Sequence, residues 1–579
     1  MTENNELVDI SYASNLLGVS KLTLRNWDNA GTLKAVRVGN REDRRYRKAD
    51  LERFSQKYKN SVEPVDRLAL EKYIKNNTFW MESCPALPFT ADVCVIEMAN
   101  LGNYFKPGLS FCTFMYQKDY TTQILSIEES IAHCKSQFKA LNDNPEKVHA
   151  VMQECEEIYF KFEKFLARLD FIELKILSQQ EILREFENFS KMLGEFWAVS
   201  LLVEPYSPFL DKVYFPYFEK IVGDTQKAKE AFAVLTLPLE QSFVARERVN
   251  LLKIIIKFLQ NTKERKILLD KSSGEYLADI KFRNNAFFKE LEEHQQRYYW
   301  IQNNYGQHIY LTITDFLKFI KEILHEGDVS KLIEELERLE NQEELSKNQE
   351  KIVNDLDLSG KVVRELEHIR HMTWIKDERK KTVLMMLHHL FNILDEFGRR
   401  TNIDPKVVAY ATTEEIPKLL ENNFDTSILN QRREHSFWIA QSGNKRSVFT
   451  GNDAAILRNK LIKEESNEKK EIHGNVACRG EESIITGTVR IILDPKDQTI
   501  SKDEILITSM TRPDFVPLMR KAKAVVTDEG GITCHAAIVS REMNKPCIIG
   551  THNATRTFHT GDEVELRMNH GTIKLLNFA

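Results

Sequence analysis

The chain has 579 residues, of which 42% are hydrophobic and 29% charged, and its formal net charge at pH 7 is −5. This length predicts roughly three or four domains. No apolar run approaches the ~20 residues of a membrane span, and the first residues lack the features of a signal peptide. Eight scattered cysteines without a CxxC pair do not suggest a disulfide framework or a zinc site. We therefore expect a cytoplasmic protein of the multidomain α+β class that does not act on membranes.

Residues 1–60 have the pattern of a small basic domain. A short helix over residues 11–17 ends at Gly18, and Ser20 starts a second helix, so two helices meet at a tight turn. A hairpin over residues 34–48 follows, with its turn near Gly39. The segment holds 12 Lys and Arg against 8 Asp and Glu, and this positive surplus favours binding to phosphate backbones. The alternative is a charged domain that binds another protein.

The stretch ASNLLGVSKLTLRNWDNAGTLKAVR, followed by RRYRKADLERF, resembles the winged helix-turn-helix of the MerR and excisionase families. The resemblance implies that the second helix enters the major groove of DNA and that the wing holds backbone phosphates. The candidate DNA contacts are Lys21, Thr23, Arg25 and Asn26 in the helix and Arg44, Arg45 and Tyr46 in the wing. Such modules usually bind paired half-sites as dimers, so we expect DNA and a second copy of the chain as partners.

Residues 65–465 are predicted to form a large all-helical region, in one lobe or two. Leucines recur there at helical spacing, and internal Gly and Pro are rare. A break is expected near Leu237, and the polar stretch from Arg432 to Asn467 is expected to be a flexible connector.

Two clusters in this region mix aromatic and polar residues, Tyr298 to Tyr305 and Trp374 to Lys381. Either they line a binding pocket, or they are ordinary core and solvated faces, which periodicity alone favours. The segments LPLEQSFVARERVNLL, QQRYYWIQNNY and WIKDERKK are similar to the helical region of rifampin-phosphotransferase-like proteins. That resemblance implies an acceptor site for a small molecule in this region.

Residues 470–579 alternate strands and helices, and the sequence TDEGGITCHAAIVSRE lies at their centre. A buried strand leads into it, and Gly530 with the glycine after it permits a turn. His535 is expected in the first turn of the helix that follows, with Thr533 as the N-cap. Because a helix start stabilises anions, an imidazole there is well placed to carry a phosphoryl group. A histidine that only caps or packs is the alternative.

This stretch, with NKPCIIGTHNAT after it, resembles the phosphohistidine motif of phosphoenolpyruvate-utilising enzymes such as phosphoenolpyruvate synthase, pyruvate phosphate dikinase and rifampin phosphotransferase. The resemblance implies a swivelling domain over about residues 485–576 in which His535 is phosphorylated. It also implies that Thr533 supports the histidine and that Cys534 matches the synthase-type motif. The letters TRPD match the family's TxPD, which makes Arg512 a candidate neighbour of the histidine.

Phosphoryl transfer also needs a donor site with a metal and cationic groups. The sequence shows no P-loop, no ATP-grasp domain and no phosphoenolpyruvate-binding barrel after His535. We therefore expect no bound cofactor or metal on this chain, and a separate ATP-grasp or phosphoenolpyruvate-binding protein, using ATP or phosphoenolpyruvate with Mg²⁺, as the phosphoryl donor.

Three functions remain open from the sequence. In the first, the chain is a DNA-binding protein whose His535 is phosphorylated in trans to regulate transcription. In the second, it is a subunit of a split phosphotransferase that passes the phosphoryl group to a small molecule in the helical region. In the third, the helical region binds an effector and His535 is idle.

Overall fold

The computed structural model of the protein describes residues 6–17, 21, 24–25, 28, 33–38, 43–48, 50–51, 63–204, 209–260, 262–283, 285–326, 329–462, 471–496, 498–531 and 534–577. The chain divides into two compact units. The first comprises Met1–Ser83, Leu87–Phe209 and Asn392–Glu464, and the second comprises Cys84–Ala86, Leu210–Phe391 and Glu465–Ala579. Within the described ranges, every helix is too short or too polar to cross a bilayer.

The elements of the first part of the chain are β1 (Leu7–Asp9), α1 (Ile10–Leu17), β2 (Val36–Val38), β3 (Asp43–Arg47), α2 (Arg67–Asn76), β4 (Phe79–Pro85), α3 (Phe89–Ala99), β5 (Phe111–Gln117), β6 (Tyr120–Ser126), α4 (Ile127–Asp143), α5 (Pro145–Leu169) and α6 (Gln179–Ser200). The helices that follow are α7 (Leu210–Val213), α8 (Phe215–Val222), α9 (Thr225–Leu235), α10 (Phe243–Leu259), α11 (Thr262–Asp270), α12 (Ser273–Arg283), α13 (Asn285–Tyr298), α14 (Ile313–Glu326), α15 (Val329–Glu340), α16 (Gln342–Asp355) and α17 (Gly360–Thr401).

The remaining elements are α18 (Pro405–Val408), α19 (Ile416–Leu420), α20 (Ser427–Glu434), β7 (Ser436–Gln441), β8 (Lys445–Thr450), α21 (Gly451–Leu461), β9 (Glu471–His473), β10 (Asn475–Cys478), β11 (Ile484–Ile491), β12 (Glu504–Thr508), α22 (Val516–Lys521), β13 (Ala524–Thr527), α23 (His535–Glu542), β14 (Cys547–Ile549), α24 (Ala554–Thr557), β15 (Glu563–Arg567) and β16 (Thr572–Asn577).

The N-terminal module is a small sheet with a helix against it. Strands β2 and β3 form the predicted antiparallel hairpin, and β1 pairs with the other edge of β3. The hairpin turn near Gly39 lies outside the described residues. Apolar side chains from both the helical and the strand segments fill one core: Val8, Ala13, Leu24, Leu33, Tyr46 and Leu51.

The middle region is mainly helical, but the prediction that it is all helical was wrong. Strands β4, β6, β5, β7 and β8 form a five-stranded sheet in that order. Strand β5 pairs antiparallel with both β6 and β7, although β5 and β7 are more than 300 residues apart in the chain. Short apolar runs such as FCTFMYQ and SFWIAQ do not show by periodicity whether they are strands or buried helix.

The expected flexible connector from Arg432 to Asn467 was also wrong over its described part. Residues 427–461 form α20, the hairpin of β7 and β8, and α21. Strand β7 is almost wholly buried, with Phe437, Trp438 and Ile439 each fully inaccessible. The six residues of β7 lie between charged stretches, so the composition of the whole segment is polar. For this reason the composition did not predict a buried strand.

The second unit contains helices α7 to α16, the first part of α17, and a C-terminal α/β domain over residues 471–577. The expected break near Leu237 is present, because α9 ends at Leu235 and α10 begins at Phe243. Ser242 caps α10 by accepting a hydrogen bond from the backbone N–H of Ala245, as serine does at helix starts.

The C-terminal domain is built on an eight-stranded sheet in the order β10-β14-β13-β12-β11-β15-β16-β9. Its four central strands, β11 to β14, run parallel, and the outer pairs are antiparallel. One face is covered by a continuous apolar cluster that includes Val489, Ile505, Val526 and Ile548. Because parallel strands end at a common edge, the loops after β12 and β13 emerge side by side, which is where α/β sheets place ligands.

Candidate active site

The loops after β12 and β13 carry the residues of the site. Thr511 follows the end of β12, and the loop after β13 leads through Gly530 to Cys534 and His535. Gly530 has a φ of +109°, and a Cβ at this position would lie 2.6 Å from the Cys534 sulfur. A residue with a side chain would therefore displace Cys534, which explains the glycine in the turn.

His535 is the first residue of α23, as predicted from the sequence. The N-cap position is held by Cys534, without a side-chain capping bond, so the expectation that Thr533 is the N-cap is corrected. The side chain of Thr533 lies outside the described residues. The backbone N–H of Cys534 donates to the Gly531 carbonyl at 2.9 Å, so the turn itself fixes the start of the helix.

The two ring nitrogens of His535 have different surroundings. The side chain is 9% exposed. Nδ1 lies 2.9 Å from the hydroxyl of Thr511, whereas Nε2 is buried and has no hydrogen-bond partner among the residues that the structure describes. When Nδ1–H donates to the Thr511 hydroxyl, Nε2 carries the lone pair, which is the tautomer that nucleophilic attack by Nε2 requires.

Burial lowers the pKa of His535 well below its usual value, and the positive charges of Lys380, Arg512 and Lys376 lower it further. The imidazole is therefore neutral at physiological pH and retains a nucleophilic nitrogen. Lys380 is fixed close by, because its Nζ donates to the Thr511 carbonyl at 3.4 Å. A neutral nucleophile among cations is suited to receive a group that brings negative charge with it.

Arg512 lies in the site, as the sequence predicted, and its side chain is only 2% exposed. Its guanidinium donates to Asp514 Oδ2 at 3.2 Å and lies over the Phe515 ring. Asn304 donates to the same carboxylate oxygen at 3.1 Å. Burial raises the pKa of Asp514, and Arg512 opposes that shift. Asp514 thus fixes the orientation of the guanidinium through its own carboxylate.

The helical part of the second unit supplies residues that the sequence did not assign to the site. Lys376 and Lys380 come from α17, and Asn304 comes from the loop between α13 and α14. All three belong to the two mixed aromatic and polar clusters noted in the sequence, for which core or solvated faces were the favoured interpretation. The signal was present in the composition of these clusters, but nothing in the sequence linked them to a histidine more than 150 residues further along the chain.

Other polar contacts hold the C-terminal domain against these helices. Gln307 donates to Asp494 at 2.9 Å, and Arg338 donates to the backbone carbonyl of Glu542 at 2.6 Å. Arg520 lies 3.3 Å from Glu335. A cavity of about 120 Å³ lies beside these contacts, with apolar walls from α10 and α14 and with the segment Pro513–Lys521 on its other side.

The residues predicted to contact DNA have different surroundings in the N-terminal module. Lys21 and Arg25 are exposed, and Arg45 is partly exposed. Arg44 is held by Asp28, with Nε 2.7 Å from the carboxylate. Thr23 and Asn26 lie outside the described residues. The expectation for Tyr46 is corrected, because the side chain is 1% exposed and its hydroxyl donates to the Leu24 carbonyl at 3.1 Å.

Family models match two parts of the chain, the N-terminal module and the C-terminal domain. Residues 500–571 match the family described as PEP-utilising enzyme, mobile domain, and residues 7–58 match the family described as helix-turn-helix domain. The chain therefore carries a phosphoenolpyruvate-utiliser mobile domain behind an N-terminal helix-turn-helix domain.

Among the similar curated proteins are several phosphoenolpyruvate synthases. A probable phosphoenolpyruvate synthase of Staphylothermus marinus is 33% identical over 213 residues, 36% of this chain and 24% of that protein. The phosphoenolpyruvate synthase of Pyrococcus furiosus is 31% identical over 234 residues, 37% of this chain and 28% of that protein. The phosphoenolpyruvate synthase of Deinococcus radiodurans is 47% identical over 87 residues, 15% of this chain and 11% of that protein. The chain spans about a quarter of the first two relatives.

Proposed function

We propose that this chain is a cytoplasmic phosphoryl carrier joined to a MerR-type DNA-binding module. His535 accepts a phosphoryl group from a separate ATP-grasp or phosphoenolpyruvate-binding protein, and the phosphorylated state regulates transcription through residues 1–60. The chain acts as a homodimer on paired DNA half-sites.

The observation that carries the proposal is the state of His535 Nε2. It is a buried imidazole nitrogen without a hydrogen-bond partner among the described residues, at the first residue of a helix. A buried polar atom without a partner costs free energy, and a purely structural histidine would gain by pairing it. The Thr511 contact at Nδ1 and the cations Lys376, Lys380 and Arg512 supply what a phosphoryl acceptor needs.

The proposed step is a displacement at phosphorus. The Nε2 lone pair of His535 forms a bond to the phosphorus of the donor, and the bond from that phosphorus to the leaving oxygen breaks. The leaving group departs with the electron pair, and the ring keeps its proton on Nδ1, where it donates to the Thr511 hydroxyl. Mg²⁺ on the donor protein would neutralise the phosphate charge during this transfer.

A donor protein can reach His535 only if the C-terminal domain leaves the helices. The side chain is 9% exposed in the docked arrangement, and Lys376 and Lys380 face it from α17. Undocking would break the polar contacts of this surface, among them Asn304 with Asp514 and Gln307 with Asp494. Each such contact is worth about 1 kcal/mol.

The DNA-binding part of the proposal rests on the helix-turn-helix match and on the charge of its surface. Lys21 and Arg25 are exposed on the segment that would enter the major groove. Arg45 lies on β3 of the wing, where it would hold a backbone phosphate. A phosphoryl group on His535 adds negative charge, and this charge would alter docking of the C-terminal domain.

The test is labelling by a candidate donor. Purified chain is mixed with a candidate donor protein and labelled ATP or phosphoenolpyruvate, and acid-labile label on the chain is measured. We expect label on the wild type and on His473→Ala, an exposed histidine of the same domain, and none on His535→Ala. Label that survives in His535→Ala overturns the assignment.

The second candidate is the split phosphotransferase, in which His535 passes its phosphoryl group to a small molecule. The cavity of about 120 Å³ beside Pro513 favours it, because that cavity adjoins the loop that carries Arg512 and combines apolar walls with charged side chains. The two candidates differ in where the label goes. Chase of label from the protein into a small molecule supports the phosphotransferase, whereas label that stays on His535 and changes DNA affinity supports the switch.

A further inference from the structure

Helix α23 begins at His535 and ends at Glu542, and both of its ends contact the helical part of the second unit. At the second end, the Glu542 carboxylate accepts hydrogen bonds from the hydroxyl and the backbone N–H of Ser242, which is the N-cap of α10. Arg338 of α15 donates to the Glu542 backbone carbonyl at 2.6 Å. Release of the C-terminal domain would therefore take the Glu542 carboxylate away from the start of α10.

A second carboxylate lies at the same helix start. Asp377 of α17 is 8% exposed, and its Oδ2 accepts a hydrogen bond from the backbone N–H of Phe243 at 2.9 Å. Phe243 is the first residue of α10, so the two carboxylates bind adjacent residues of one segment. They come from opposite sides of the docked surface, because Asp377 belongs to the helices and Glu542 to the C-terminal domain.

The charged groups around this pair are two cations and one further carboxylate: Arg246 of α10, Arg338 of α15 and Glu378 of α17. Arg246 is held in an ion pair with Glu378, so its charge does not act on the pair alone. Lys381 lies 2.7 Å from the other oxygen of Glu378. The pair thus has one negative neighbour, and the nearest cation is shared with that neighbour.

Burial at this place makes both carboxyl groups retain a proton. It raises the pKa of Asp377 to about 7, a shift that the Phe243 N–H opposes and that the charges of Glu542 and Glu378 increase. Burial also raises the pKa of Glu542 to about 7, although the hydrogen bonds from Ser242 oppose it. Buried carboxylates that repel each other do not both ionise readily, and they titrate as a pair.

We propose that docking of the C-terminal domain on the helices takes up one proton, which is held by the carboxyl pair of Asp377 and Glu542 at the start of α10. The helix start stabilises one negative charge, and the other carboxyl group of the pair remains protonated. In the released domain, Glu542 would be in water and ionised at neutral pH. The inference rests on the domain release that the proposed function requires, and it makes the accessibility of His535 depend on pH.

The direction of this dependence follows from the proton that the docked pair binds and the released pair lacks. The contribution of the pair to docking is full below about pH 4.5, decreases as pH rises, and is lost above about pH 7. His535 acts in the opposite direction, because burial among cations lowers its pKa and docking therefore removes a proton from the ring. A variant that lacks one carboxylate separates the two effects, since it keeps His535.

The test measures the docked fraction of the full chain by single-molecule energy transfer between pH 5 and pH 8. The two dyes are attached to non-natural residues at the exposed positions Glu343 of α16 and Lys574 of β16. At each pH, the docking equilibrium constant of a protein is divided by that of Glu542→Gln, which keeps a hydrogen-bonding side chain but cannot ionise. We expect this ratio for the wild type to fall at least about tenfold from pH 5 to pH 8.

Two further variants show whether the pair is responsible. Asp377→Asn keeps an acceptor for the Phe243 N–H and removes the repulsion, so Glu542 can ionise in the docked state and the ratio should change less than about threefold. Glu482→Gln, exposed in the C-terminal domain, should behave as the wild type does.

A wild-type ratio that is the same at pH 5 and pH 8, equal pH dependence in the wild type and Asp377→Asn, or a wild type that never leaves the docked state overturns the proposal. If a variant does not fold, as judged by circular dichroism, ¹³C NMR titration of the wild-type carboxyl groups decides: one group of the pair titrating near pH 7 supports it, and ordinary values for both contradict it. Labelling of His535 by a donor tests the carrier function separately, so the two can fail independently.

Discussion

The two ends of this chain both carry a recognisable motif, but they use their polar residues differently. In the C-terminal domain, His535, Thr511 and Arg512 converge in the interior, and helices from a distant part of the chain complete their surroundings. In the N-terminal module, the polar residues of the motif are divided between the surface and internal contacts, such as that of Arg44 with Asp28. A motif therefore indicates chemistry most reliably where its polar residues are buried together, because buried groups interact strongly and shift one another's pKa values.

The strongest expected effect concerns Thr511, which distinguishes an organised site from a surface motif. Thr511→Val removes the hydroxyl that fixes the His535 tautomer, and we expect phosphorylation of His535 to slow about 100-fold. Thr511→Ser retains the hydroxyl and should stay within a few-fold of wild type. Rates of acid-labile labelling measure this, and equal rates for the valine and serine variants would mean that the hydroxyl has no role in orienting the ring.

The next effect concerns the helical side of the site. Lys380→Met removes a positive charge near His535, so we expect the imidazole pKa to rise and phosphoryl transfer to or from the ring to slow about tenfold. Lys361→Met, on the same helix about 28 Å away, is the matched control. NMR titration of the histidines measures the pKa, and the labelling rates measure phosphoryl transfer. An unchanged His535 pKa in Lys380→Met would mean that the charge of Lys380 does not act on His535.

A smaller effect is expected at the N-terminal end. Lys21→Gln and Arg25→Gln should each weaken DNA binding several-fold at fixed salt, and each should reduce the salt slope by about 1 because one phosphate contact is lost. Tyr46→Phe should leave DNA affinity unchanged and lower stability by about 1 kcal/mol, because only the hydrogen bond to Leu24 is removed. If Tyr46→Phe loses DNA affinity while Lys21→Gln and Arg25→Gln keep it, then Tyr46 contacts DNA and the two exposed cations do not, contrary to our interpretation.

The smallest effect is a pH dependence at the end of α23. Burial raises the pKa of Glu542 to about 7, so its contribution to stability is full below about pH 4.5 and is lost as pH rises through about 7. Glu542→Gln stays neutral, and its melting temperature should exceed that of wild type by a few degrees at pH 8 and match it near pH 5. Glu482→Gln, exposed in the same domain, should show no such pH-dependent difference in melting temperature from wild type. A difference for Glu542→Gln that is the same at pH 5 and pH 8 would mean that ionisation of Glu542 does not cause it.

The sequence predicted those features that depend on neighbouring residues. The β2–β3 hairpin, the helix that begins at His535 and the place of Arg512 beside it were all predicted, because turn glycines and short motifs encode local geometry. The five-stranded sheet was not predicted, since β5 and β7 pair across more than 300 residues and are too short for a clear period. Lys376, Lys380 and Asn304 were not assigned to the site for the same reason: only the tertiary fold brings them to His535.

The central claim is that His535 Nε2 accepts a phosphoryl group, and phosphoramidate tests it without any donor protein. This reagent transfers its phosphoryl group to a neutral imidazole nitrogen with loss of ammonia. The product on ¹⁵N-labelled chain is then assigned by ³¹P and ¹⁵N NMR. We predict phosphohistidine at Nε2 of His535, present in His473→Ala and absent from His535→Ala. Phosphorylation at Nδ1, or a folded chain in which His535 stays unmodified while other histidines react, would contradict the account.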